Sequence, residues 1–136
     1  MTTIFGAIIL FLILVTFHEY GHYSVARFFK IKILKFSIGF GPDIFTWKNK
    51  DNVRFSLSSI PFGGYVAFHD PHDVENYKKL SESEKKYVLA NRPAPEKMLV
   101  TLAGPIFNFI LSFVIFSFVA LFIPKQPDVL LSLIHI

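Results

Sequence analysis

Two stretches of this chain run without a charge for longer than an ordinary soluble domain tolerates. Residues 98 to 123, MLVTLAGPIFNFILSFVIFSFVALFI, form one; residues 4 to 17, IFGAIILFLILVTF, open the other, which extends over 3 to 29. A hydrocarbon core about 30 Å thick is crossed by roughly twenty helical residues at 1.5 Å each, and both stretches are long enough. In lipid the backbone must satisfy its own polar groups, so both are expected to be helices. A secretory signal is the rival for the first, but no basic residue precedes it and no small-residue cleavage site follows. Composition agrees with membrane residence: 52% of residues are hydrophobic, 17 are Phe, and only 18% are charged.

The formal net charge of +4 could suggest nucleic acid, but its distribution points elsewhere. Arg27, Lys30, Lys32 and Lys35 follow the first span, and Arg92 and Lys97 precede the second. The first sixteen residues have no basic side chain, and the tail has only Lys125. Positive residues stay on the cytoplasmic side, so the connection between spans is expected there, with the N-terminus extracytoplasmic and no nucleic-acid partner. The expected localisation is that of an integral, multi-pass membrane protein.

The first span ends in His18-Glu19-Tyr20-Gly21-His22. Residues four apart share a helix face, so His18 and His22 can offer two ring nitrogens to one metal, with Glu19 one residue round. This HExxH spacing suits zinc hydrolysis: the metal brings the pKa of its water towards neutrality, and the glutamate takes the proton as the oxygen attacks a peptide carbonyl. Ionisable groups at membrane depth are costly, and a satisfied core histidine would explain one imidazole, not this trio. The chain has no cysteine, so any metal must be held by His, Asp or Glu.

Residues 31 to 68 change from helix to strand character. Val53-Arg54-Phe55-Ser56-Leu57-Ser58 alternates apolar and polar, and Ile44-Phe45-Thr46-Trp47 approaches the same pattern across Asn49-Lys50-Asp51-Asn52. This predicts a β-hairpin. Gly39-Phe40-Gly41-Pro42 and Pro61-Phe62-Gly63-Gly64-Tyr65 flank it, either as ordinary turns or as backbone on which an extended peptide pairs. Its many aromatic residues place the hairpin at the membrane interface, packed against the spans.

Residues 69 to 97 are a polar loop with a helical stretch around Asn76 to Leu89. His69 and His72 could suggest a second metal site, but three-residue spacing broken by Pro71 fixes no ligand geometry, and a solvated loop is the better reading. In the second span, Ala103-Gly104-Pro105 permits close helix packing. Asn108 lies about 15 Å from the cytoplasmic end and His18 about 9 Å, so the two can be neighbours. The asparagine either bonds another helix or holds an unwound substrate.

Four features in order, HEYGH, SIGFGP, PFGGYV and AGPIFN, resemble the site-2 protease family of intramembrane zinc metalloproteases, in its bacterial regulated-proteolysis branch. The resemblance covers roughly residues 4 to 123. It implies His18 and His22 as zinc ligands, Glu19 as catalytic base, Gly39-Phe40-Gly41 as part of a membrane-associated β region that clamps an extended substrate, and Asn108 in substrate handling. A transmembrane protein substrate and membrane lipid are the implied partners. The family also uses an aspartate from a later span as third ligand and usually carries PDZ domains before it. Neither is in these 136 residues, and Asp128 follows the second span in a Pro-Lys-Gln-Pro-Asp segment unsuited to replace it. The chain is therefore expected to be an N-terminal portion of such a protease. A membrane metal-binding or transport protein, and an inactive fragment that only binds a partner, are the competing readings.

The expected fold is a mainly α membrane protein: transmembrane helices at 3–29 and 98–123, joined by a cytoplasmic membrane-associated β-hairpin region at 31–68 and a polar loop with a short helix at 69–97. An extracytoplasmic, truncated tail is expected at 124–136.

Overall fold

The computed structural model of the protein describes residues 1–123 and residue 134. Apart from that one residue, the expected tail with Asp128 lies outside the described residues. Helix α1, Thr2–Phe28, and the last helix, Ala94–Phe122, are the two apolar spans and run alongside one another. Both are long and apolar enough to cross a membrane, and their apolar stretches are not covered by the rest of the chain. Phe109 and Phe113 are about three-quarters exposed, which only hydrocarbon or a further protein surface would stabilise.

α1 ends where Lys30 enters the left-handed region at φ 58°, with the Lys30 N–H donating to the Arg27 carbonyl and the Ile31 N–H to the Ala26 carbonyl. The chain then enters β1, Ile33–Lys48, which pairs antiparallel with β2, Arg54–Phe68. An antiparallel pair was expected, but the strands are far longer than the alternation at 44–47 and 53–58 suggests. Residues 33–38 lie between two partners, 64–68 on one side and 54–57 on the other, while 43–48 flank the outer side of 54–58. Two strands thus make a sheet four segments wide. They double back near Gly39 (φ 90°) and Gly41 (φ 83°), a conformation other residues resist.

The apolar face of this sheet packs against the end of α1. Tyr23 is buried and stands edge-on to Phe36 and Phe55, at centroid distances of 5.7 and 5.5 Å. Ala26, Ile31, Ile33, Val53 and Val100 complete the core, so it joins both spans to the sheet. The polar side is knit by hydroxyls: Ser56 donates to Ser37 Oγ (3.0 Å), Ser37 and Ser58 share a bond (3.1 Å), and Ser58 donates to Asp43 (3.0 Å). Lys35 donates to both Asp43 oxygens and Arg54 to one, so the carboxylate holds the two halves of β1 together across the glycine bend. Lys35, ahead of the Ser58 hydroxyl, holds the Asp43 carboxyl below its ordinary pKa.

The polar segment departs from the single helix expected around 76–89. It forms α2, Val74–Lys78, α3, Glu82–Lys85, and a 3₁₀ turn at Leu89–Asn91. The break is local chemistry. Ser81 and Glu84 form a reciprocal capping box that starts a new helix where the old one would continue. Lys32 Nζ donates to Glu84 (2.8 Å), and the Lys32 N–H donates to the Tyr87 carbonyl (2.8 Å), tying this segment to the start of β1. The last helix, α4, begins at Ala94, four residues ahead of the uncharged run, with prolines at its N-terminus where no helical N–H is missed.

Candidate metal centre

α1 carries His18, Glu19 and His22 within its last three turns, where the span reaches the sheet. The imidazoles stand edge-to-face with centroids 4.9 Å apart, one helical turn separating them. Both turn towards α4 at a glycine. A methyl carbon placed on Gly104 would lie 2.7 Å from His18 Nε2 and closer still to His22 Nε2, so the two nitrogens converge on one spot over the bare backbone. The other nitrogen of His22, Nδ1, is 2.6 Å from the Val100 carbonyl oxygen. That oxygen has no proton to give, so Nδ1 carries the hydrogen and the Nε2 lone pair is left free.

Glu19 turns another way. A methyl carbon on Gly64 of β2 would meet its Cγ at 3.2 Å, and the carboxylate shares a groove of about 280 Å³ with His22, Tyr65, Val66, Phe68, Val100 and Thr101. This groove follows residues 64–68, the outermost segment of the sheet, which pairs with 33–38 on one side and with no other described segment on the second. A second groove, of about 350 Å³, is lined by His18, Pro105, Asn108, Phe109 and Ser112. His18 and Asn108 both line it, as their expected depths allow. Asn108 Oδ1 is buried without a partner among the described residues, so it is an acceptor available to a ligand or a further helix.

The Gly39-Phe40-Gly41 bend lies one ring removed from the Glu19 groove. Phe40 stacks on the groove residue Tyr65 with planes 12° apart and centroids 6.1 Å apart, and it occupies the space beside Gly63. His69 and His72 do not form a second cluster among the described residues. Burial first, then the Lys32 charge, pulls the His69 pKa below its ordinary value.

One feature of the site has no signature in the sequence, and a second has only a faint one. The Val100 carbonyl acts through the backbone, so any residue there would supply it. The pairing edge at 64–68 becomes visible only when the strands are seen to double back; its one clue was the paired glycine of PFGGYV.

Two imidazoles, one oriented by a carbonyl and both aimed at a gap without a side chain, fit half of a zinc site. No group of three His, Cys, Asp or Glu side chains converges among the described residues.

The profile of peptidase family M50 matches residues 6–131. The chain belongs to that family, the site-2 proteases that its four motifs resemble. Curated proteins similar to it carry the name "Putative zinc metalloprotease". One from Rickettsia conorii is 38% identical over 117 residues, 86% of this chain and 32% of that protein. Another, from Thermotoga maritima, is 41% identical over 99 residues, 73% and 19% of the two chains. A third, from Brucella suis, is 40% identical over 139 residues, 93% and 36%. The chain therefore spans between about a fifth and little more than a third of the length of these relatives.

Proposed function

We propose that this M50 chain is the N-terminal, ligand-bearing portion of an intramembrane zinc metalloprotease, with its polar segments on the cytoplasmic side and its N-terminus outside a bacterial inner membrane. The observation that carries the reading is the convergence of His18 and His22 Nε2 beside Gly104, with Glu19 turned into the groove that His22 also lines along the strand edge. A transporter that merely passed an ion would have no use for a carboxylate turned from the ligand nitrogens towards an open strand edge.

His18 and His22 would hold the metal through Nε2, and the Val100 carbonyl keeps His22 in the tautomer this requires. Zinc, when bound, supplies Lewis acidity that makes water a nucleophile at neutral pH. Glu19 takes the proton released by the attacking water and passes it to the leaving amine. A substrate helix in lipid has no spare backbone groups, so it must unwind before it can be cut, and its freed N–H and C=O groups need new partners. Residues 64–68 offer an unpaired strand edge along the Glu19 groove, where an extended segment finds them. Phe40 and the Gly39–Gly41 bend back this edge through Tyr65, and the Asn108 amide receives the substrate backbone on the His18 side. The substrate class is a membrane-spanning protein.

The test is co-expression of the gene's full reading frame with a single-span reporter protein. Cleavage within the cytoplasmic part of the reporter span, lost on Glu19→Gln with the protein still accumulating, supports the reading. Reporter cleavage that persists in Glu19→Gln refutes it.

A further inference from the structure

The geometry points to Gly104 as a positioning residue of the metal centre: its missing side chain is what lets His18 and His22 bring their Nε2 atoms together. This rests on the reading of those histidines as zinc ligands. Gly104 lies well inside α4, where glycine weakens a helix relative to alanine, and Pro105 follows it, withholding an N–H from the Thr101 carbonyl. Such a pair invites a reason, and packing between the spans does not supply it. Close approach of the helix backbones is provided by Gly21 of HEYGH, whose absent methyl carbon would stand 2.5 Å from the carbonyl oxygen of Ala103, the residue before Gly104. At Gly21 the obstacle is backbone. At Gly104 the nearest atoms are His22 Nε2, His18 Nε2 and His22 Cε1, all parts of the two imidazoles.

The imidazoles cannot simply swing aside. His22 is tethered at Nδ1 to the Val100 carbonyl, 2.6 Å away and one turn before Gly104 on the same helix. Its ring stands at 78° to that of His18 with centroids 4.9 Å apart, so a rotation of one presses on the other. Alanine at 104 would therefore break the tether or part the nitrogens, and either change spoils a two-nitrogen site. α4 thus contributes two devices without contributing a ligand: a carbonyl that fixes a tautomer, and a gap that the nitrogens share.

The experiment is an equilibrium titration, in detergent and with zinc alone, of the protein purified from the gene's full reading frame, comparing wild type, Gly104→Ala and Gly6→Ala. Gly6 lies on α1 with open space around its Cα, so that variant is the control. Circular dichroism and unfolding midpoints are read on the same samples, together with the imidazole nitrogen chemical shifts of the metal-free wild type. Zinc affinity about ten- to hundredfold weaker in Gly104→Ala, with helix content unchanged and Gly6→Ala at the wild-type value, supports the inference. Equal affinity in wild type and Gly104→Ala overturns it and leaves the zinc reading standing. A wild-type chain that binds no zinc overturns the zinc reading and this inference with it. The nitrogen shifts add a second readout: the Nδ1–H tautomer of His22 is expected, and the Nε2–H tautomer overturns the inference even if Gly104→Ala does not fold, because Nε2 would then have no lone pair to bring to the gap.

Discussion

Tyr23→Ala should release the sheet from the first span while leaving the two spans together. Tyr23 is 7% exposed, and its ring meets Phe36 and Phe55 edge-on while Phe55 stacks on Trp47 with planes 12° apart. Removing a buried aromatic ring costs about 3–5 kcal/mol, a figure that includes the cavity left when neighbours relax only partly. Here the cavity opens between α1 and β1, because Phe36 and Phe55 belong to the strands. The hydroxyl contributes less. It accepts a bond from Arg27 of its own helix (2.9 Å), so Tyr23→Phe should cost about 1 kcal/mol or less. Trp47 is the single tryptophan of the chain, and through Phe55 it reports on this cluster. Denaturant titration in micelles, followed by Trp47 fluorescence, should show Tyr23→Ala losing the sheet transition first, while far-ultraviolet circular dichroism keeps the helical signal. The Gly21–Ala103 contact lies outside the cluster, so the spans stay paired. A Tyr23→Ala midpoint equivalent to within about 1 kcal/mol of wild type would refute the claim that this ring docks the sheet.

Gly39→Ala should destabilise the sheet by more than about 1 kcal/mol, since φ is 90° there and the new carbon would lie 2.8 Å from the Ile60 carbonyl oxygen; the same fluorescence titration reads it. The Glu84 carboxyl is held down to about 2 by the hydrogen bond from Lys32, then by the Ser81 backbone N–H and hydroxyl, against an ordinary 4.5. A lowered carboxyl pKa contributes stability that is full above pH 4.5 and lost as pH falls towards 2. Hydrogen exchange at the Lys32 amide, which donates to Tyr87, should therefore accelerate across that window in wild type and show no such step in Glu84→Gln.

The spans were legible because lipid imposes one rule over many residues: no charge, and enough length to cross. HEYGH was legible because a helix turns fixed spacing into shared direction, so His18 and His22 had to point alike. The sheet was half legible. Period-two alternation marks strands with one wet face, as at 53–58, but 33–38 is flanked on both edges and packed by Tyr23, so Ile33, Phe36 and Ser37 are all buried and the alternation fades. The polar segment misled because its composition suits one helix while the Ser81 capping box starts a second. What the histidines face was legible only as depth, which allowed Asn108 beside His18 but did not reveal Gly104. It depends on which turn of α4 passes them, and a glycine reads the same whether it admits a helix backbone or two imidazole nitrogens.

The central claim is that His18 and His22 are ligands and Glu19 is a base that does not bind the metal. Zinc content of the protein purified from the gene's full reading frame, measured for wild type, His18→Ala, His22→Ala and Glu19→Gln side by side, tests it directly. The account predicts about one zinc per chain in wild type and in Glu19→Gln, and loss in both histidine variants. Zinc that survives His18→Ala and His22→Ala, or that disappears with Glu19→Gln as it does with them, would contradict it.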